Sequence, residues 1–189
     1  VHAGGVERHV IAARAPFVGR TFVDAKLPIP TREYTGWDDL RTHRMIGFGL
    51  HRFDLNTPQQ IDEFAPDIAL ARQMKVPYFV LLIRAQDCTP GGVRYVIQKL
   101  KALGDDAPRL EIVNEPNLKM RASAYVKILK IARDAIKAEN PNAKVLGPAQ
   151  CGAQLFWFEN FLHDGGGNLV NIVTVHSYER YGSMDVYHW

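Results

Sequence analysis

Two rhythms of apolar residues alternate along this chain. Short continuous apolar runs are separated by longer stretches in which apolar residues recur at helical spacing. The clearest run is Tyr78-Phe79-Val80-Leu81-Leu82-Ile83 within residues 77–85, the pattern of a strand covered on both faces, as in a parallel sheet. Further strands are expected over residues 45–53, 109–114, 143–147 and 171–176. A sixth, earlier one falls in residues 8–13 or 20–23.

Helices are expected between these runs. One covers residues 37–44, and the next opens at Thr57-Pro58, with Thr57 as N-cap and Pro58 in the first helical position. Its apolar positions Ile61, Phe64, Ile68, Leu70, Ala71 and Met74 follow helical spacing, and Pro66 bends or shortens its first half. Residues 91–103 form another helix, closed by Gly104 in the C-cap role. Ser123 is read as the cap of an amphipathic helix through Glu139, with Tyr125, Ile128, Leu129, Ala132 and Ile136 on one side. Residues 155–162 form the last helix before the turn Gly165-Gly166-Gly167. Alternation of this kind is α/β punctuation, and no repeat or Pro/Ser-rich linker divides residues 1–189, which read as a single domain.

Composition narrows the function classes. A chain of 189 residues that is 47% hydrophobic and 23% charged is globular material with one substantial core. The apolar runs are well short of the roughly 20 residues that span a bilayer. The net charge of +3 is spread out, with no run of five like charges, so nothing points to nucleic acid as a partner. Cys88 and Cys151 stand in no zinc-ligand spacing, so no metal site through sulfur is expected. They are either two free thiols or one disulfide between loops. The start Val1-His2-Ala3-Gly4-Gly5 has neither an initiator Met nor a leader pattern and reads as a processed or trimmed end.

The chemistry is concentrated in Asn114-Glu115-Pro116, at the end of an expected parallel strand. A carboxyl there, at the rim of an apolar environment, is suited to hold a proton near neutral pH and then act as a base. Pro116 makes the chain leave the strand abruptly, and the Asn114 amide both donates and accepts, as a sugar hydroxyl requires. Strict strand alternation sends Asn114 and Glu115 to opposite faces, so a bulge or local twist is needed to bring both to one pocket. Taken alone, the tripeptide is better read as a polar turn after a buried strand.

Its surroundings add weight. Leu50-His51-Arg52-Phe53-Asp54-Leu55, Glu111-Ile112-Val113-Asn114-Glu115-Pro116-Asn117, residues 140–149 and Val173-Thr174-Val175-His176-Ser177-Tyr178 follow one another in an order that resembles the clan of retaining (β/α)8-barrel glycoside hydrolases. They look most like family 39, the β-xylosidase and α-L-iduronidase group. The resemblance covers about residues 45–180 and implies an α/β fold, a (β/α)8 TIM barrel with about six of its eight strand-helix units present.

It also implies roles. Glu115 would be the general acid/base, Asn114 would bind the hydroxyl next to the anomeric carbon, and Arg52 would support the nucleophile. His176 and Tyr178 would line the pocket at the sixth strand. No metal or organic cofactor is implied, and the partner is an oligosaccharide or glycoside. Each residue has a plainer reading: Arg52 as an ion-pair partner of Asp54 or Asp87, His176 as a core histidine, and Tyr178 and Trp157 as packing.

In that clan the nucleophile is a Glu ending the seventh strand, yet 11 residues follow Tyr178. Glu179, the one nearby late carboxylate, reads as a surface residue. Three situations fit: a longer enzyme of which this is a part, a second chain completing the barrel, or a truncated homologue without activity, and the first is favoured. The expected function is retaining hydrolysis of O-glycosidic bonds by two carboxylates, with the nucleophile beyond Trp189. The alternative is a carbohydrate-binding or structural barrel without catalysis.

Overall fold

The structure, a computed structural model, describes residues 51–152 and 154–176. Their strands are β1 (His51–Leu55), β2 (Tyr78–Leu82), β3 (Arg109–Ile112), β4 (Lys144–Cys151) and β5 (Ile172–His176). The helices between them are α1 (Ile61–Gln73), α2 (Pro90–Ala102), α3 (Ala122–Glu139) and α4 (Leu155–His163). The five strands form one sheet in the order β1-β2-β3-β4-β5, and the pairs from β2 to β5 are parallel. A sheet that adds each strand beside the last, with a helix between, never reverses direction as a doubly wound sheet does. This is the order of a TIM-barrel-like α/β fold.

The described residues divide into two compact units, one holding 51–52 and 64–78, the other 53–63 and 79–176. The first contains most of α1, which runs through Pro66 and ends in a turn where Lys75 takes a left-handed φ of 55°. Pro66 therefore does not break the helix, because the hydrogen bond it forfeits lies within the first turns.

The second unit carries β3, β4, β5 and most of β1 and β2. Strands β2, β3 and β4 are buried almost throughout, as strands with both faces covered must be, and only in β2 is the sequence continuously apolar. The helices supply that cover through single stripes. In α2 Val93, Val96, Ile97 and Leu100 are buried; in α3 Ala122, Tyr125, Leu129, Ala132 and Ile136 are. The Thr89 hydroxyl caps α2 by accepting from the Gly92 N–H at 3.1 Å. Gly104, at φ 81°, lets the chain leave α2, its N–H donating to Lys101 O at 2.9 Å.

Two expected caps differ. Helix α3 begins at Ala122 with Arg121 in the N-cap position, so Ser123 lies inside the first turn and does not cap it. Thr57 precedes a 3-10 turn, Pro58–Gln60, and its side chain makes no cap bond.

Against the sheet, α3 and α4 share an aromatic cluster. Tyr125, Trp157 and Phe161 lie with ring centroids 5.8 to 6.0 Å apart, and Trp157 donates Nε1–H to Met120 O at 2.9 Å. Trp157 is thus a packing residue. The Tyr125 hydroxyl reaches the sheet and donates to Ile112 O at 3.0 Å. Gly147 makes room for it, since a Cβ there would lie 2.5 Å from the Tyr125 oxygen. No helix among the described residues is long and apolar enough to cross a membrane.

Candidate functional site

The polar groups of interest gather where β3, β4 and β5 end. Strand β3 stops at Ile112, but its ladder to β2 continues: Val113 N–H donates to Leu82 O at 2.9 Å and Asn114 N–H to Ile83 O at 3.0 Å. The next N–H turns the other way, from Glu115 to Ala149 O on β4 at 3.2 Å. Val113 and Glu115 both hold left-handed backbones, φ 62° and 50°. Two such residues flanking Asn114 supply the local twist that alternation alone denies. For a β-branched Val this conformation is costly, on the order of 1–3 kcal/mol, and surrounding contacts must hold it.

Strand β4 has a matching irregularity. Its register with β5 shifts between Gly147 and Gln150, around a cis Gly147–Pro148 bond and Ala149 at φ 51°. The Ala149 N–H donates to Thr174 Oγ1 at 3.0 Å while its carbonyl receives Glu115. The expected strand 143–147 therefore extends to Cys151, because the bulge carries the ladder past Pro148. Pro116 is buried and opens the 3-10 turn Pro116–Leu118. Asn117 in that turn binds β4 twice, donating Nδ2–H to Cys151 O at 3.0 Å and accepting the Cys151 N–H at 2.9 Å.

His176 ends β5, in register with Cys151. Its Nδ1 lies 3.1 Å from Glu115 Oε1, and its Nε2 lies 3.7 Å from Glu111 Oε2. The imidazole is thus set between two carboxylates, reaching across β4 to β3. His176 and Glu115 side chains keep 12% and 15% of their surface, whereas Glu111 keeps 1%. Both Glu111 oxygens lack a hydrogen-bond partner, as do the buried Asn114 Oδ1 and Gln150 Oε1.

The neighbouring protic groups are held neutral. Burial, and then the charge of Glu115, pushes the Cys151 thiol up from its ordinary 9.0. Burial, followed by Glu111 and Cys88, pushes the Tyr125 phenol well above 10. Cys88, buried just after β2, is raised to about 12, mainly by burial. Both cysteines are free, so no disulfide joins them.

The structure brings together Glu115 and His176, with Asn114 beside Glu115 in the chain. Arg52 is the half-buried second residue of β1 rather than its last, and it belongs to the first unit. Asp87, one of the ion-pair partners considered for it, is bound by Arg84 at 2.6 Å. Tyr178 and Glu179 lie outside the described residues. Three polar residues at this end had drawn no role from the sequence: Glu111, Asn117 and Gln150. For Glu111 there was a signal, a lone carboxylate in a strand otherwise built for burial. A separate groove of about 340 Å³ between the starts of α3 and α4, lined by Arg121, Ser123, Phe156, Trp157, Asn160 and Asp164, contains none of these residues. Among the described residues no group of three or more His, Cys, Asp or Glu is arranged to hold a metal ion.

No family model matches the chain. Among solved structures it is similar to a family 39 glycoside hydrolase from the gut symbiont Bacteroides cellulosilyticus WH2, with a TM-score of 0.57 and 16% identity. The match covers 74% of this chain and 35% of that one, so the chain spans about a third of the length of the protein it matches. The likeness shows the fold, an incomplete α/β TIM-barrel-like one.

Proposed function

We propose that this chain carries the acid/base half of a retaining glycoside hydrolase, with Glu115 as the proton donor and acceptor. The observation that carries the reading is the 3.1 Å contact between Glu115 Oε1 and His176 Nδ1 at the C-terminal strand ends, where barrels of this type do their chemistry. Glu115 in its acid form protonates the leaving oxygen of an O-glycoside, and as a carboxylate it then takes a proton from the incoming water. Asn114, whose Oδ1 is buried without a protein partner, binds the hydroxyl beside the reacting carbon.

Retention requires a second carboxylate about 5 Å from the first. Glu111, with 1% of its side chain exposed, is too buried to meet a sugar ring and is not that carboxylate. The substrate class is an oligosaccharide or simple glycoside, and the family resemblance favours a family 39 type of activity.

Replacing Glu115 by Gln is expected to lower turnover of a glycoside with a poor leaving group by about 10²- to 10⁴-fold. An activated aryl glycoside, which needs less protonation, should suffer less in its first step. Unchanged turnover on the unactivated substrate, with native circular dichroism, would overturn the assignment.

A further inference from the structure

We propose that the groove between α3 and α4 is a saccharide-binding site in its own right, taking a neutral sugar ring flat against Phe156 with its hydroxyls between Arg121 and Asp164. It goes beyond the reading of Glu115 given above and does not depend on it.

The groove encloses about 340 Å³, within the roughly 300–1,000 Å³ of small-molecule sites. Its apolar wall is Phe156, which is 80% exposed. Phe156, Asn160 and the C-cap residue Asp164 follow at four-residue spacing and so share one row along α4. Leu155 and Leu162, the other exposed large apolar residues of this helix, stand in a different row. The exposure of Phe156 therefore belongs to the groove and not to that second flank. Behind it the floor is fixed, because Trp157 stacks on Phe161 at 6.0 Å and donates Nε1–H to Met120 O at 2.9 Å. A preformed site of this kind loses little freedom when a ligand arrives.

The polar lining is open to a ligand. The Arg121 guanidinium makes no hydrogen bond or ion pair among the described residues, and the Ser123 hydroxyl caps no helix. Asn160 donates Nδ2–H to Phe156 O at 2.8 Å, which leaves its Oδ1 to accept. Asp164 keeps 32% of its side chain exposed, with Oδ1 3.5 Å from His163 Nδ1 and Oδ2 unengaged.

One cation and one anion line the groove, so it selects no net charge. A phosphate would meet Asp164, and an ammonium group would meet Arg121. An extended peptide binds by adding to a strand edge, and none lines the groove. A pyranose suits both kinds of wall. Its C–H face packs on the negative face of an aromatic ring, while the hydroxyls around its rim donate to a carboxylate or amide oxygen and accept from a guanidinium. Helices α3 and α4 begin where the chain has left β3 and β4, so Arg121 and Phe156 lie toward the Glu115 end of the sheet. A glycan held there stays near the strand ends without entering the chemistry.

The test is titration of the assigned nitrogen-15 NMR spectrum of the full chain with cellohexaose, xylohexaose and mannohexaose in turn. At least one is expected to shift the Asn160 side-chain amide and the Trp157 indole N–H to saturation. Phe156→Ala, at an exposed position, should weaken that binding about tenfold. Arg121→Ala should weaken it by about as much. Leu155→Ala, on the same helix but outside the groove, and Glu115→Gln should leave it unchanged. No shift with any of these sugars, or an affinity that both groove variants leave intact, would overturn the proposal. So would shifts confined to Glu115, His176 and their neighbours, or groove signals that move with protein concentration alone, the mark of a contact between copies. Because no turnover is measured, this titration and the Glu115→Gln turnover experiment can each fail without the other.

Discussion

Leu110 and Val145 are register partners within β3 and β4, wholly buried and in ordinary strand backbone. Further along the same two strands, Val113, Glu115 and Ala149 hold left-handed backbones, and Asn114 and Gln150, like Glu111 directly after Leu110, bury oxygens without hydrogen bonds. Glu111 apart, the middle of the sheet keeps the local rules, and the strand ends break several at once. Natural sequences tolerate such breaches where a site must be built, provided the rest of the fold compensates. The contrast separates a part of the chain that packs by ordinary rules from a part that departs from them.

Three perturbations test this division, beginning with the most damaging. Phe161 is buried against Tyr125, Trp157 and Gly166, and Phe161→Ala should cost about 3–5 kcal/mol by leaving a cavity beneath α4. A urea midpoint that falls with an unchanged slope would show this. A loss below 1 kcal/mol would mean that the aromatic cluster contributes little to the core.

The second perturbation uses one substitution in both regions. Ala132 is buried in the interior of α3, where Gly costs about 1 kcal/mol in backbone freedom alone. Ala149 is equally buried but sits at φ 51°, a conformation Gly adopts without penalty. Ala132→Gly should therefore destabilise, and Ala149→Gly should be neutral or stabilising by up to about 1 kcal/mol. Equal losses at the two positions would erase the distinction drawn here.

The smallest effect concerns charge. Glu115 helps hold the Cys151 thiol above its ordinary range, since a nearby anion disfavours the thiolate. Glu115→Gln should then lower the pKa of Cys151 and quicken its alkylation by iodoacetamide severalfold at pH 8. Cys88, raised to about 12, should remain unreactive in both proteins and acts as an internal control. A Cys151 rate that does not change would mean that Glu115 is uncharged at that pH.

Most of the packed region was legible from the sequence. The run at 77–85 and the stripes of α2 and α3 follow from apolar periodicity alone, and Gly104 ends α2 as its position past the last apolar residue implied. The strand ends were less legible, for physical reasons. Pro148 looks like a terminator because it lacks an N–H, yet β4 passes through it by means of a bulge that no residue type announces. A bulge or twist near Glu115 was required by alternation, but its placement at Val113 was not foreseeable, since a β-branched residue is the least suited to φ 62°. Ser123 was misplaced as a cap because capping depends on the backbone angle at one residue, and Arg121 holds that angle instead. Glu111 was visible as a misplaced charge, but its meaning depends on His176, 65 residues later in the chain and two strands away in the sheet.

Asn117 has a mechanical consequence. By giving and receiving a hydrogen bond at Cys151, its side chain imitates a neighbouring strand for one residue and fastens the 3-10 turn to the tip of β4. With the Glu115 N–H bound to Ala149 O, that makes three fasteners between the turn and β4 within three residues. The turn should therefore move with β4 rather than with α3, which it precedes, and slow hydrogen exchange at the Cys151 amide would be the sign of that shared rigidity.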